Sequence, residues 1–282
     1  MKLRRITAAI FLFCLAGSGI AFAETEVQKG TRLAQMYDHM PTFGRVKAFL
    51  TLRIYDKEGN IRFSKKMRMA SYTENLGASN QVEKFIGYFM EPADDLGNSM
   101  LFYNYKDKAD EKFMYLKSIR KTKKVTGADK KLSFFQSDFA NCEVSMPEFQ
   151  DFTYRYLRDE PMTFKGKEVD CYVVEAIPKT QVVAGDLGYG KKIMYLEKTT
   201  LIMMKTEYFN GQIQKFKEMR LVSFITKNNL QGKKVFYSTS IEMKNLISGT
   251  KSMIVITDYL FEEDSGVSDR IFNLDYLTRK WW

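Results

Sequence analysis

The sequence predicts a mainly β protein, built on one large, largely antiparallel sheet that is either strongly curved or partly closed into a barrel. Apolar and polar residues alternate with a period of two along many short segments, which is typical of strands. The connections between these segments are short, which favours antiparallel pairing. No repeat, Pro-rich linker or low-complexity region divides the chain, so about 259 residues are expected to form one domain, residues 24–282.

Residues 1–23 have the pattern of a cleaved signal peptide. A short basic region precedes the nearly uncharged run ITAAIFLFCLAGSG, and the segment ends in AFA, residues 21–23. Signal peptidase accepts small residues at these last and third-last positions, and the apolar run is short for a membrane span. We therefore expect an exported chain that resides in the periplasm. An uncleaved anchor and lipidation at Cys14 are the open alternatives.

The predicted elements begin with a helix over residues 24–40. The first strand is VKAFLTLRIYD, in which residues 46, 48, 50, 52 and 54 form one apolar face, and DKEGN then turns the chain into IRFSKKMRMASY. Asn210-Gly211 marks a later hairpin. SDRIFNLDYLTR, near the C-terminus, is a second helix candidate. The remaining strand candidates are EKFIGYFME, NSMLFYNYK, KFMYLKS, MTFKG, EVDCYVVEAI, KIMYLEK, TLIMMKTEYF, QIQKFKEMRLVSF, KKVFYSTSIEM and TKSMIVITDYLF.

Basic residues are in excess and partly clustered. Residues 1–23 hold three basic and no acidic side chains, so their removal lowers the net charge from +10 to +7. In an exported protein, a basic cluster favours an anionic membrane surface or an acidic protein over nucleic acid. A solvated strand face is the alternative. The residues expected to contact lipid headgroups or a partner are Arg120, Lys121, Lys123 and Lys124.

The sequence does not predict a catalytic, metal or cofactor site. The single histidine, His39, lies at the expected end of the first helix, so neither a Ser-His-Asp triad nor a histidine-based metal centre is expected. GDLGYGKK, residues 185–192, resembles part of a phosphate-binding loop. However, Lys192 replaces the required Ser or Thr, and a strand pattern follows where a helix should begin. We interpret this segment as a hairpin turn.

Two cysteines remain after residue 23, Cys142 and Cys171. An even number of cysteines in an oxidising compartment permits a disulfide between them. Two buried thiols are an equally acceptable interpretation, because the spacing does not decide between the two.

The segment KLSFFQSDF, residues 131–139, is interpreted as a structural turn. Ser137 and Asp138 are expected to bond to backbone N–H groups, with Asp138 also pairing with Arg120 or a nearby lysine. The phenylalanines at 134, 135 and 139 would anchor the turn to the apolar interior. A ligand-gating or partner-docking loop is the alternative function.

Methionine and aromatic residues are abundant, with 16 Met, 22 Phe and 16 Tyr. Flexible thioethers and large rings can line a pocket that adapts to acyl chains, although at each position an ordinary core is the alternative. The residues expected to line a lipid cavity are Leu50, Leu52, Phe63, Met67, Phe85, Phe89, Leu101, Tyr103, Met203, Tyr237, Met243 and Val255.

The order of segments resembles the outer-membrane lipoprotein-sorting protein family. The segments that carry this resemblance are DLGNSMLFYNY, KFMYLKSIRKTKKV, FFQSDF, DCYVVEAIPK, IMYLEKTTLIMMKTEYFNGQIQKF and IEMKNLISGTKSMIVITDY. The resemblance implies a half-open barrel around a hydrophobic cavity, lipid or acylated lipoprotein as cargo, and no catalysis. Many members of this group resemble accessory carriers, which implies an inner-membrane exporter of the resistance-nodulation-division type as a partner. The tail RKWW matches no family motif.

These observations predict a periplasmic carrier or chaperone for lipid or lipoprotein. Two alternatives stay open. One is a periplasmic sensor that binds the same cargo and relays stress to a membrane regulator. The other is a periplasmic hydrolase, which would need a nucleophile and a base in one cleft.

Overall fold

The structure is a computed structural model that describes residues 23–144, 148–211 and 213–282, so the predicted signal peptide lies almost wholly outside the described residues. The mainly β fold is confirmed, with one sheet of thirteen antiparallel strands. The strands are β1 (Arg45–Tyr55), β2 (Ile61–Glu74), β3 (Val82–Glu91), β4 (Ser99–Tyr105), β5 (Glu111–Leu116), β6 (Lys121–Lys124), β7 (Phe152–Phe164), β8 (Lys167–Pro178), β9 (Lys191–Glu197), β10 (Met203–Asn210), β11 (Gln214–Asn228), β12 (Lys234–Asn245) and β13 (Lys251–Phe261).

Helices are short and few among the described residues. The α-helices are α1 (Glu26–Asp38), α2 (Asn141–Val144) and α3 (Gln181–Leu187), and 3-10 turns occur at Gly127–Lys131, Phe149–Asp151, Glu262–Ser265, Asp269–Ile271 and Leu274–Thr278.

The sheet consists of two meanders joined side by side. The order is β6-β5-β4-β3-β2-β1-β13-β12-β11-β10-β9-β8-β7, so every neighbouring pair except β1 and β13 is consecutive in sequence. At that central seam Val46 lies opposite Phe261 and Tyr55 opposite Lys251. The edge strands β6 and β7 do not pair, so the sheet stays open.

Contacts across the sheet require it to be strongly curved. Thirteen strands at about 4.8 Å spacing would make a flat sheet roughly 58 Å wide. Nevertheless, α1 packs against β7 at one edge, where Lys29 Nζ lies 3.4 Å from the centre of the Tyr156 ring. The last residue of α1, Asp38, forms a 2.7 Å ion pair with Lys106, which directly follows β4 in the first meander. Helix α1 therefore spans the gap between the two halves.

Helix α1 begins with a capping box and lies very close to the backbone of β7. The Thr25 side chain accepts from the Gln28 N–H, and the Gln28 side chain accepts from the Thr25 N–H, which satisfies two donors at the helix start. Its buried face includes Leu33 and Ala34. Gly30 is packed so tightly that an added Cβ would lie 2.4 Å from the backbone nitrogen of Tyr156.

The C-terminal segment covers the outer face of the first meander. Ser99 Oγ donates to the carbonyl of Leu277 at 2.6 Å, and the Tyr103 hydroxyl donates to the carbonyl of Phe272 at 2.9 Å. The second predicted helix is wrong as a continuous element, because it is two 3-10 turns over residues 269–271 and 274–278. The tail ends in contact with this face, since the Trp282 ring lies 5.1 Å from that of Tyr88.

Two other local predictions differ from the structure. Only MTFKG was predicted as the strand before residue 167, whereas β7 runs over thirteen residues from Phe152. The interpretation of residues 185–192 as a hairpin turn is wrong, because residues 181–187 form α3 and Gly188 ends it in the left-handed conformation, at φ 79°. The strand that was expected next is present as β9, so the segment is not a phosphate loop.

We expect Gly30→Ala to destabilise the protein because the new methyl group would push α1 away from β7. Overpacking of this kind costs about 1–3 kcal/mol of unfolding free energy, measurable by denaturant titration. Gly185→Ala is a matched control, since Gly185 also lies in a helix but an added Cβ meets nothing within 4 Å there. Equal stability of the two variants would contradict the close packing of α1.

Candidate functional site

One large apolar cluster occupies the inner face of the curved sheet. It draws side chains from both meanders, which the curvature brings together. Its buried members are Leu33, Ala34, Ala48, Leu50, Leu52, Ile54, Met67, Met69, Phe89, Met100, Phe102, Phe134, Phe139, Ala140, Cys142, Phe152, Tyr154, Val174, Ala176, Leu187, Tyr189, Met194, Leu196, Tyr208, Met243 and Ile254. The cluster fills the space that the curved sheet encloses.

The chain itself fills this space with residues 132–144, which we call the plug. The plug belongs to the connection from β6 to β7, and therefore to the link between the two open edges. Phe134 and Phe139 are each 1% exposed, and the Phe135 ring lies 4.2 Å from that of Phe89 on β3. An antiparallel bridge between Ser133 and Ala140 closes the plug at its base.

Asp138 fastens the plug to the start of β13. Its carboxylate accepts hydrogen bonds from Thr250 Oγ1 at 2.6 Å and from Ser252 Oγ at 2.7 Å. Its backbone N–H donates to the same Ser252 Oγ at 2.9 Å. We call these three residues the latch. Since Ser252 is fully buried, the latch lies beneath the plug and fixes it by directional bonds.

A buried ion pair fastens the other end of the plug to β11. Lys217 Nζ lies 2.7 Å from a carboxylate oxygen of Glu143, and both side chains are nearly inaccessible. The other Glu143 oxygen accepts from the Ala140 N–H at 2.6 Å. Lys217 Nζ also donates to the carbonyl of Asp138 at 3.3 Å. The pair therefore connects the wall of the sheet to both ends of residues 138–143.

A lysine also projects into the interior from β9. The Lys192 ammonium lies 4.3 Å from the centre of the Phe152 ring, and no ion pair of this lysine occurs among the described residues. Burial lowers the pKa of Lys192 to about 8, and the neighbouring Cys142, Glu143 and Asp151 partly offset this effect. The interior is thus not uniformly apolar at the side where the second meander approaches the plug.

The structure confirms part of the interpretation of residues 131–139 and corrects the rest. The phenylalanines do anchor the segment inside, as expected. Ser137, however, donates to the carbonyl of Phe134 instead of accepting from a backbone N–H. The Asp138 carboxylate forms no ion pair with Arg120 or with any other described basic side chain, because the curved sheet brings the hydroxyls of Thr250 and Ser252 to it.

Seven of the twelve residues expected to line a cavity lie in or against the inner cluster. Leu50, Leu52, Met67, Phe89 and Met243 are buried members, and Phe85 and Met203 pack at its margin. Whether they contact a ligand remains a prediction.

The other five residues lie elsewhere. Leu101 and Tyr103 belong to a second cluster under the C-terminal segment, and their inner-face places are taken by Met100 and Phe102. Tyr237 packs with Phe43 in another cluster. Phe63 is exposed, and Val255 lines a shallow surface pocket. These positions are corrections, because alternation identifies the two faces of a strand without showing which of them is inside.

The four basic residues lie at an exposed edge. All of β6 is exposed, as is Arg120 in the turn before it. Lys123 and Lys124 are neutralised by Asp129 at 2.6 Å and Glu111 at 2.8 Å. Arg120 and Lys121 have no ion pair with any described residue. Contact of the four basic residues with headgroups or a partner remains a prediction. Two of the four charges are already neutralised by ion pairs within the protein.

Cys142 and Cys171 are free, buried thiols, so the disulfide alternative is wrong in this structure and the alternative of two buried thiols holds. Cys142 lies in the inner cluster, whereas Cys171 belongs to a different cluster. Along β8 the side chain of Cys171 points away from the face that carries Val174 and Ala176. Burial raises the pKa of Cys142 to about 12 and that of Cys171 to about 11.

A surface groove lies beside the inner cluster, between α1 and the turn that joins β9 to β10. It has a volume of about 420 Å³ and is lined by Met36, His39, Leu201, Lys234 and Phe236, among others. Leu201 also packs against the inner cluster. The groove is therefore a place where the interior approaches solvent without movement of the plug.

Two kinds of site are absent from the described ranges. Residues 23–144, 148–211 and 213–282 contain no group of three or more His, Cys, Asp or Glu side chains that could bind a metal ion. Nor does any helix there have the length and hydropathy needed to cross a membrane.

The residues that hold the plug were not predicted from the sequence. Thr250, Ser252, Glu143 and Lys217 were not identified, although one signal was available. Ser252 occupies an inward position of β13, two residues before the buried Ile254, where alternation predicts an apolar side chain. A small polar residue at such a position indicates a buried partner.

A protein-family model described as "uncharacterized protein" matches residues 81–279. No curated protein matches the chain. The chain is similar to a solved structure described as an outer membrane lipoprotein-sorting protein domain from Vibrio parahaemolyticus. That match has 23% identity and a TM-score of 0.73, and covers 90% of this chain and 100% of the other.

Two more solved structures share the fold. A DUF1329 family protein from Desulfovibrio piger is 20% identical with a TM-score of 0.74, covering 90% of this chain and 99% of that one. A LolA superfamily protein from Nitrosomonas europaea, NE2245, is 18% identical with a TM-score of 0.59, covering 88% and 98%. The predicted resemblance to lipoprotein-sorting proteins is therefore confirmed as a resemblance of fold.

We expect Lys217→Met to destabilise the protein strongly, because it would leave the Glu143 carboxylate buried without a cation. Removing one partner of a buried ion pair costs about 3–5 kcal/mol. The double variant Lys217→Met with Glu143→Gln keeps an acceptor for the Ala140 N–H and should recover most of that loss. Denaturant unfolding measures both; a single variant as stable as the wild type would contradict the buried pair.

We expect two free thiols in the chain that begins at residue 24. A thiol reagent should modify neither cysteine in the native protein, because both are buried and their pKa values are raised. It should modify both after unfolding without a reductant. The absence of reactive thiols in the unfolded chain would show that Cys142 and Cys171 form a disulfide after all.

Proposed function

We propose that this chain, which belongs to the family whose model matches residues 81–279, is a carrier for lipid or for the acyl chains of a lipoprotein. The cargo would occupy the inner face of the curved sheet. The fold shared with lipoprotein-sorting proteins supports this proposal. The predicted signal peptide supports a location in the periplasm.

The plug is the observation that carries the proposal. Its phenylalanines fill the interior, but it is fastened by the latch and by the pair of Glu143 with Lys217. When the plug moves, these polar bonds can be replaced by hydrogen bonds to water or to a ligand headgroup. Water offers no such replacement for apolar contacts. If the plug moves out, the apolar walls of both meanders remain in place as a site for acyl chains.

The energetic demand on such a carrier is large. Burial is worth about 0.8 kcal/mol per CH₂ group, so an acyl chain of ordinary length needs about 10 kcal/mol to cross water unaided. A site that exchanges its own phenylalanines for acyl carbons keeps the walls covered in both states. The cost of opening then consists of the exchange of the latch and ion-pair bonds and the exposure of the plug's phenylalanines, about 1.5–3 kcal/mol for each side chain that becomes fully exposed.

Methionines give the wall the adaptability that a carrier needs. The unbranched thioether side chain changes rotamer easily and fits irregular apolar shapes. The methionines in or against the inner cluster are Met67, Met69, Met100, Met114, Met194, Met203, Met219 and Met243. Such a wall favours acyl chains of varied length over one rigid ligand.

The proposed mechanism is binding and release without chemistry. The hydrolase alternative would require a nucleophile beside a base, and Ser137 instead donates to a backbone carbonyl within the plug. The inner-membrane exporter implied by the family resemblance stays a prediction.

A crosslink across the latch tests the proposal. In a chain with Cys142→Ala and Cys171→Ala, the changes Asp138→Cys and Ser252→Cys place two thiols where side-chain oxygens are 2.7 Å apart. The oxidised form holds the plug in, and its reduced form is the matched control. We expect the reduced form to take up a fluorescent fatty acid and the oxidised form to lose at least about 90% of that uptake, because cavity and plug compete for one space.

Equal uptake by both forms would show that cargo does not need the space of the plug. Absence of uptake by the wild-type chain, together with absence of copurified lipid after expression, would end the carrier proposal itself.

A further inference from the structure

One end of the sheet carries exposed apolar side chains on every turn. Because all pairs are antiparallel, the turns β1–β2, β3–β4, β5–β6, β10–β11 and β12–β13 and the connection through α3 lie at the same end. We call this end the rim. Its exposed tip residues, between 37% and 92% accessible, are Ile61, Leu96, Ile119, Val182, Ile213 and Ile247.

Neighbouring turns of the rim touch in three pairs, so the tips within each pair lie side by side. Gly97 of β3–β4 abuts the side chain of Lys117 in β5–β6, and Gly249 of β12–β13 abuts Lys57 in β1–β2. Gly190, after α3, packs against the carbonyl of Gly211 in β10–β11. The curvature of the sheet arranges these contacts around the end of the inner cluster.

The opposite end differs in chemistry although it is built from the same kind of turns. Among the described residues of the strand turns at that end, β2–β3, β4–β5, β7–β8 and β9–β10 hold no exposed large apolar side chain, and Leu230 in β11–β12 is the exception. Outside these turns, Met36 at the end of α1 and Leu260 near the end of β13 are also exposed. A general tendency of turns to expose apolar side chains would affect both ends of the sheet equally. The asymmetry therefore indicates a function of the rim.

Basic residues accompany the apolar tips. Arg62 follows Ile61, and Arg120 and Lys121 follow Ile119; all three basic side chains are exposed. Lys179 precedes Val182, and Lys244 precedes Ile247, again exposed. Acidic side chains also occur at the rim. Glu58 in β1–β2 and Asp94 in β3–β4 are exposed, Asp56 and Asp186 are half-buried, and Asp95 is neutralised by Lys65 at 2.9 Å.

We propose that the rim docks onto an anionic lipid bilayer. Isolated aliphatic tips match the acyl boundary of a membrane, and basic side chains beside them match its phosphate headgroups. A protein partner would be expected to meet a continuous apolar patch instead of tips spaced around a curved edge. The inference deepens the proposed function by naming the surface from which cargo would be taken or to which it would be delivered.

Docking at the rim would act on the latch. Thr250, which donates to Asp138 at 2.6 Å, ends the same β12–β13 turn that carries Ile247 at its tip. Asn245 holds this turn through hydrogen bonds from Ile247 and Ser248. Insertion of the tip into lipid therefore displaces the turn whose Thr250 binds Asp138. Membrane contact and opening of the plug thus depend on the same turn.

Cosedimentation with vesicles tests the docking. We expect the wild-type chain to bind phosphatidylcholine vesicles that contain phosphatidylglycerol, and to bind less as salt is added. Ile119→Ser with Ile213→Ser should weaken binding about tenfold or more by removing two inserted side chains. Leu230→Ser is the matched control, because the exposure of Leu230, 56%, is close to the 58% of Ile119 while Leu230 lies at the other end; it should bind like the wild type.

Uptake of monomeric lysophosphatidylglycerol, below its micelle concentration, separates docking from carrying. The rim variants should keep this uptake and lose only transfer from vesicles. Wild-type protein that takes up the monomer but binds no vesicles would overturn the docking and leave the carrier function standing. Vesicle binding that falls equally with Leu230→Ser would also overturn it, since the rim would then not be special.

Discussion

An open curved sheet has an inner apolar face that its own edges cannot cover, and the rest of this structure depends on how that face is kept from water. Strands β6 and β7 end the sheet without pairing, and the chain that links them turns inward as the plug. Helix α1 closes the gap above, held by Asp38 and Lys106. The walls of the interior are thus covered by segments that are not part of the sheet and can be displaced without breaking it.

The attachment of the plug combines two kinds of interaction with different consequences. Phe134 and Phe139 contribute non-directional burial, which any apolar ligand of similar volume can replace. The bonds of Asp138 and Glu143 are directional, and they cost much free energy when only one partner is removed. The first kind makes exchange with cargo feasible, and the second kind makes the closed state well defined.

Alternation along the strands predicted the inner face well where a strand has one buried side. β1 alternates regularly between buried and partly exposed residues, and Leu50 and Leu52 were placed correctly. β4 is covered on both sides, so Leu101 and Met100 look alike in sequence. The plug was recognised as an anchored turn from its phenylalanines. The partners of Asp138 were not, because they lie more than 100 residues away and only the curvature of the sheet brings them near.

The central seam of the sheet has a consequence for how the chain folds. Within each meander, strands pair with the strand next in sequence, so loop closure is inexpensive. β1 and β13 pair across roughly 200 residues, as Val46 with Phe261 does, and high contact order of this kind slows folding. β1 must keep one long edge unpaired until β13 becomes available. The middle of the finished sheet is thus the last part to form, and until then it is the part most exposed to pairing with another chain.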